Sequence, residues 1–224
     1  MGGACARMID NWIIAGLYAI ADTAQLARVR LLDAVAQAID GGATIVQYRD
    51  KSGQPVAGHE QARKLAQLCK QRAVPLIVND DVELARSIAA AGVHLGREDP
   101  PLMQARLRLG SQAIIGVSCY DQLERALSAM SEGASYVALG SFYPSATKPS
   151  AQRATLELLH EARERLSVPI VAIGGITPEN GGSLIAAGAD ALAVIQGLFG
   201  QPDVRAAARR YAALFAGPAD SKKA

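Results

Sequence analysis

Gln47-Tyr48-Arg49-Asp50-Lys51 places two cations and an amide where an apolar run is ending. In extended chain, alternate side chains face opposite sides. Gln47, Arg49 and Lys51 then share one side, while Tyr48 and Asp50 share the other. Such a face suits a polyanion, with arginine as a two-pronged fork and lysine as a point charge. A solvated surface loop is the plainer reading, but it leaves the interruption of a buried apolar strand without a reason. Carboxylates follow in Asn79-Asp80-Asp81 and in Gly96-Arg97-Glu98-Asp99-Pro100. One aspartate, Asp81 or Asp80, can cap the helix that starts there, and this leaves another for other work. Asp80 and Asp99 on adjacent loops, beside cations suited to phosphate, are the donor set that Mg²⁺ takes when it bridges protein and pyrophosphate. Spacing alone leaves the metal reading open.

A second group of signals lies near the C-terminus. Ile173-Gly174-Gly175-Ile176 runs into Thr177-Pro178, and Ile195-Gln196-Gly197-Leu198-Phe199 can open a short helix. A lone Gly-Gly is often only a turn. Two glycine-containing sites at the ends of the last two strands match the common phosphate site of (β/α)8 barrels. Ser118 closes another strand, and Ser145, Thr147 and Lys148 lie in a small, polar, proline-bounded loop. His94 reads either as a satisfied buried histidine or as a site residue. His59 and His160 fall on predicted helices and are expected at the surface. Cys5, Cys69 and Cys119 are far apart, with no metal-ligand spacing. Cys119 reads as a buried small residue, and no Ser/His/Asp or Cys/His arrangement stands out.

The elements that position these residues follow from periodicity. Short β-rich runs alternate with longer segments of helical period, the pattern of βα units around a parallel sheet. Eight strands are predicted at 13–20, 44–48, 76–78, 93–95, 114–118, 136–140, 170–173 and 191–195. The helices between them are predicted at 24–40, 58–72, 81–91, 101–109, 121–132, 154–166, 178–187 and 202–215. Gly41-Gly42, Gly92, Gly133 and Gly188 each stand between a helix and the next strand, as C-capping glycines do. The fold expected is α/β, a single-domain (β/α)8 TIM barrel over 1–224, with an open doubly wound sheet as the alternative. At 224 residues, half of them hydrophobic, the chain can bury such a core. Active sites of these barrels form at the C-terminal strand ends, which is where the polar residues collect.

The net charge of +2 comes from interspersed charges, without the basic stripe of a nucleic-acid binder. No apolar run is long enough to span a membrane. The odd cysteine count suits a reducing compartment, so a cytoplasmic location is expected. Arg7 with the apolar 12–21 stretch loosely resembles an export signal, but Asp10 and Asn11 sit at its start and the stretch is needed as a strand. The tail 217–224 reads as disordered. Oligomeric state is not legible.

Seven segments in order resemble the thiamine-phosphate synthase family: Leu17-Tyr18-Ala19-Ile20, Gln-x-Arg-x-Lys at 47–51, Asn79-Asp80-Asp81, Gly92 to Asp99, Gly116-Val117-Ser118, Pro144 to Lys148, and Ile173-Gly174-Gly175-Ile176. The resemblance implies a transferase that joins hydroxymethylpyrimidine diphosphate to thiazole phosphate and releases pyrophosphate, with Mg²⁺ as cofactor and small molecules as its partners. It implies that Gln47, Arg49, Lys51, Asn79, Ser118 and Lys148 hold the pyrimidine diphosphate, with Arg49, Lys51, Ser118 and Lys148 stabilising the leaving group. Asp80 and Asp99 would hold the metal. Ser145, Thr147, Gly175, Ile195 and Gln196 would hold the thiazole phosphate. It further implies a dissociative reaction, consistent with an inventory rich in charge-stabilising groups and poor in general bases. Gln196 departs from the family, which commonly has serine there, and Ala21 stands where threonine is frequent. Two other functions fit parts of the pattern. A thiazole tautomerase-type barrel has no need of the diphosphate and Mg²⁺ residues, and a non-catalytic phosphate-ligand sensor has no need of Asp80, Asp99 or Lys148.

Overall fold

A computed structural model of the chain describes residues 8–9, 12–26, 30–144 and 153–216. Eight parallel strands close into a barrel: β3 (Gly16–Asp22), β4 (Ala43–Arg49), β5 (Leu76–Asn79), β6 (Gly92–Leu95), β7 (Ile114–Tyr120), β8 (Tyr136–Gly140), β9 (Ile170–Ile173) and β10 (Ala191–Val194), with β10 pairing β3. The closed parallel sheet excludes the open doubly wound alternative. Nearly every strand position is buried, because the barrel fills one face and helices cover the other. Inside lie Tyr18, Ile45, Ile77, Ile114 and Tyr136, while Leu17, Val46, Val78 and Val117 pack outward under the helices.

The covering helices are α1 (Leu31–Asp40), α2 (Pro55–Gln71), α3 (Val82–Ser87), α4 (Leu102–Leu109), α5 (Leu123–Ser131), α6 (Leu156–Arg165), α7 (Gly181–Ala186), α8 (Gln196–Phe199) and α9 (Val204–Ala212). No helix among the described residues is long and apolar enough to cross a membrane.

Several boundaries differ from the sequence reading, each for a local reason. The first predicted strand divides in two. A short antiparallel pair, β1 (Met8–Ile9) with β2 (Trp12–Ile13), precedes the barrel; Ile14 joins the interior hydrophobic cluster and Trp12 packs against it. The first helix starts at Leu31 and not at 24, because Asp22 organises a turn: its carboxylate accepts from the Ala24 amide (2.9 Å) and its carbonyl from those of Gln25 and Leu26. At 178 the expected helix start is replaced by a turn in which the Asn180 side chain accepts from the Thr177 amide (2.8 Å), so α7 begins at Gly181. Gly42, Gly133 and Gly188 take positive φ after their helices, as capping glycines should. Gly92 does not. Ala89 makes the left-handed turn after α3 (φ 51°), and Gly92 is needed because a Cβ there would lie 1.8 Å from the Ile114 carbonyl oxygen. The tail at 217–224 lies outside the described residues.

Candidate active site

The C-terminal strand ends surround a cavity of about 430 Å³. Strand alternation delivers its polar wall as expected. Gln47 and Arg49 face the cavity, and Tyr48 points outward, its hydroxyl within hydrogen-bond distance of the Gly58 carbonyl (3.2 Å) and Gln61 Oε1 (3.1 Å) of α2. Asn79 and Ser118 line the same space from β5 and β7. Arg49 is held by Asp22, a buried carboxylate at the end of β3, at 2.5 Å. Sequence reasoning missed Asp22. Its signal was its place two residues past Ile20, on the side of β3 that faces inward.

Lys51 lies beyond the strand end and contacts Asp80 at 2.5 Å, half-exposed. Asp80 and Asp99 lie close enough for their carboxyl groups to share a proton, and Asp99 accepts from the Gly96 amide at 2.6 Å. Asp81 is the residue that caps α3, accepting from the Leu84 amide at 2.8 Å. Asp80 is thereby released from capping and sits in the left-handed region (φ 67°), an uncommon conformation for a non-glycine residue and one concentrated at functional sites. Burial raises the Asp99 carboxyl above its ordinary value, and the hydrogen bond from Asp80 raises it further. Burial acts upward on Asp80 too, but Lys51 and Asp99 together outweigh it and hold the group below the usual range. Two carboxylates this close need a shared proton or a cation. Oxygen donors in that arrangement fit Mg²⁺, which is satisfied by one or two protein carboxylates with phosphate and water completing its shell. No group of three or more His, Cys, Asp or Glu that could hold a metal ion gathers among the described residues.

The cavity floor is built from residues the sequence reading did not connect. Gln47 donates from Nε2 to the Tyr18 hydroxyl (2.9 Å), Tyr18 meets Tyr136 (2.7 Å), Tyr136 meets Nδ1 of His94 (2.9 Å), and Nε2 of His94 meets Ser118 (2.8 Å). His94 is thus a satisfied buried histidine that also lines the cavity. Burial, opposed in part by the Asp80 charge, pushes its imidazole down to about 4, so it is neutral at pH 7. Burial raises the Tyr18 and Tyr136 phenols. The signal for Tyr136 was Gly116, its register partner: an ideal Cβ on Gly116 would lie 2.0 Å from the Tyr136 ring. Arg125 was also missed. It donates to the carbonyls of Ser118 (2.7 Å) and Gly96 (3.2 Å), tying the Asp99 loop to β7.

Gly174, Gly175, Thr177, Ile195 and Gln196 line the opposite side of the cavity. Gly175 takes φ 61°, and a Cβ there would lie 2.3 Å from the Pro144 carbonyl oxygen. Ile195 is the capping residue just before α8, whose first turn has backbone N–H groups without intrahelical partners, and Gln196 is exposed. Ser145, Thr147 and Lys148 lie outside the described residues; Pro144, just before them, lines the cavity. Cys69 and Cys119 are buried, their thiols pushed up to about 12 by burial, which leaves them inert. His59 and His160 are exposed.

Residues 17–198 match the family model described as thiamine monophosphate synthase. The chain belongs to the thiamine monophosphate synthase family. Among its relatives, a thiamine-phosphate synthase of Nitrosococcus oceani is 54% identical over 198 residues, covering 88% of this chain and 91% of that protein. One of Thiobacillus denitrificans is 54% identical over 187 residues, covering 84% of this chain and 89% of its own length. The solved thiamine phosphate pyrophosphorylase of Pyrococcus furiosus has a TM-score of 0.81 at 34% identity, covering 89% of this chain and 95% of that one. A 3-hexulose-6-phosphate synthase, at 18% identity and a TM-score of 0.67, shares the barrel alone, as expected of a fold that hosts many chemistries. Membership of the thiamine monophosphate synthase family makes the chain an enzyme of thiamine biosynthesis, a transferase with thiamine-phosphate synthase activity.

Proposed function

We propose that this barrel joins hydroxymethylpyrimidine diphosphate to thiazole phosphate, releasing pyrophosphate, and that the diphosphate sits between Arg49, Lys51, Asn79, Ser118 and the Asp80–Asp99 pair. The observation that carries the proposal is the convergence of Gln47, Arg49, Asn79 and Ser118 with the glycine-rich strand ends on one cavity; Asp80 follows Asn79 directly at the end of β5. One end suits a metal-bound diphosphate, the other a phosphate monoester, and the space between them is large enough to hold two small rings.

Arg49, fixed by Asp22, offers a preorganised fork to the leaving group, and Asn79 and Ser118 add neutral donors. Lys51 and Lys148 supply the further positive charge. Mg²⁺ held by Asp80 and Asp99 would neutralise charge on the diphosphate and orient it. The pyrimidine's exocyclic C–O bond breaks first, with its electron pair leaving on pyrophosphate. The thiazole nitrogen then gives its lone pair to the exposed carbon, forming the new C–N bond, and no group has to remove a proton for that bond to form. Gly175 and the Ile195–Gln196 backbone hold the thiazole phosphate so that its nitrogen faces the carbon, and such positioning supplies much of the remaining acceleration. Ser145 and Thr147 complete that grip.

Purified protein mixed with both substrates and Mg²⁺ should release pyrophosphate and thiamine phosphate together. Rearrangement of thiazole phosphate with no pyrimidine substrate present would instead make the barrel a tautomerase. Binding without turnover would make it a sensor.

A further inference from the structure

The hydrogen bonds on the cavity floor link Gln47 to Ser118, two groups assigned to the pyrimidine diphosphate, through three side chains with no assigned role. We infer that this run is a polarised relay in which Gln47 fixes the ring tautomer of His94 and so turns the Ser118 hydroxyl proton toward the cavity, making Tyr18, Tyr136 and His94 positioning residues. The inference rests on the reading of Ser118 as a diphosphate ligand.

The direction follows from donor counting. A side-chain amide nitrogen only donates, so the Tyr18 oxygen accepts from Gln47. Among the described residues the other partner of the Tyr18 hydroxyl is Tyr136, so the Tyr18 proton goes there. Tyr136, having accepted, passes its own proton to Nδ1 of His94. A neutral imidazole with Nδ1 accepting carries its proton on Nε2, which donates to the Ser118 oxygen. The serine proton is then left for the cavity, where a diphosphate oxygen can only accept. Were the Gln47 amide turned over, every bond would reverse. The serine proton would be spent on His94, and lone pairs would face the anion.

The relay is built into the barrel. Tyr18, Gln47, His94 and Tyr136 are buried, so each is held in place by the packing around it. The Tyr136 ring occupies the space that Gly116 leaves open and stacks on the His94 ring at 22° between planes.

Nitrogen NMR of the full-length protein tests the relay. The chain has three histidines, and His94→Gln identifies the His94 ring signals. The unaltered protein at neutral pH should show His94 with its proton on Nε2; a proton on Nδ1 overturns the relay. Tyr18→Phe, which touches neither His94 nor Ser118, should let both tautomers appear. It should also lower kcat at least about tenfold, with a smaller change in KM for the pyrimidine diphosphate, as loss of one charge-assisted bond formed in the transition state would. A single Nε2 tautomer in Tyr18→Phe, or a kcat within about twofold of the unaltered enzyme, overturns it as well. Tyr136→Phe keeps the ring over Gly116 and should give the same two signatures if Tyr18→Phe folds poorly. Absence of turnover in the unaltered enzyme would sink the synthase reading. A wrong tautomer in an enzyme that does turn over would sink the relay alone.

Discussion

Asp80 and Asp99, the proposed metal ligands, show how little of such a pair a sequence displays and how much packing adds. Two aspartates after neighbouring strands were visible as candidates; that their carboxylates meet, with Lys51 on one of them, was not, because it depends on the left-handed turn at Asp80 and on Gly96 gripping Asp99. Asp99→Asn should therefore lower kcat/KM at limiting Mg²⁺ by at least about a hundredfold and raise the Mg²⁺ concentration needed for half-maximal rate, while leaving the melting temperature nearly unchanged. A variant with normal activity at low Mg²⁺ would remove Asp99 from the ligand set. Gln196, exposed at the start of α8, calls for a milder outcome. The backbone groups near it do not depend on the side chain, so Gln196→Ala should change KM for thiazole phosphate by less than about tenfold, or about 1.4 kcal/mol. A larger rise confined to that substrate would make the amide itself a phosphate ligand. Lys148 carries a similar test: Lys148→Ala should lower kcat more than it raises KM for the pyrimidine substrate.

Strand and helix types were legible at the level of elements, because the alternation of continuous apolar runs with helical periods is strong in every unit. Their ends were less so. The turn at Asp22, the Asn180 turn and the split first strand depend on single side-chain hydrogen bonds or on packing at the barrel bottom, which periodicity does not register. Interior glycines carry the clearest message that was not fully used. Gly92 and Gly116 were read as a helix cap and as part of a motif, yet both stand in strands where a neighbour fills the space of a side chain. Gly116→Ala would drive a methyl group into the Tyr136 ring. It should destabilise the barrel by at least about 2 kcal/mol in denaturant unfolding, in the range of core overpacking, and should disturb activity through the displaced Tyr136. A variant of unchanged stability would show that the ring moves aside freely.

At the scale of the whole molecule, one barrel places its buried polar groups and its chemistry in the same interior, so stability and site share a pH dependence. The unfolded chain protonates His94 near 6.5, whereas the folded chain resists protonation until about 4. The unfolded state thus binds the extra proton between those values. Stability is full above 6.5 and declines as pH falls through that window. The His94 contribution to the loss should be on the order of 2 kcal/mol between pH 7 and pH 5. His94→Gln, compared with the unaltered protein by urea unfolding at both pH values, should show a correspondingly smaller loss; equal losses would show that His94 is not the group responsible. The most direct test of the site is a crystal structure of the enzyme grown with Mg²⁺, pyrophosphate and thiamine phosphate. The expected result is pyrophosphate against Arg49, Asn79 and Ser118, the metal on Asp80 and Asp99, and the thiazole phosphate beside Gly175 and Ile195. Pyrophosphate bound outside this cavity, or a metal held by neither aspartate, would contradict it.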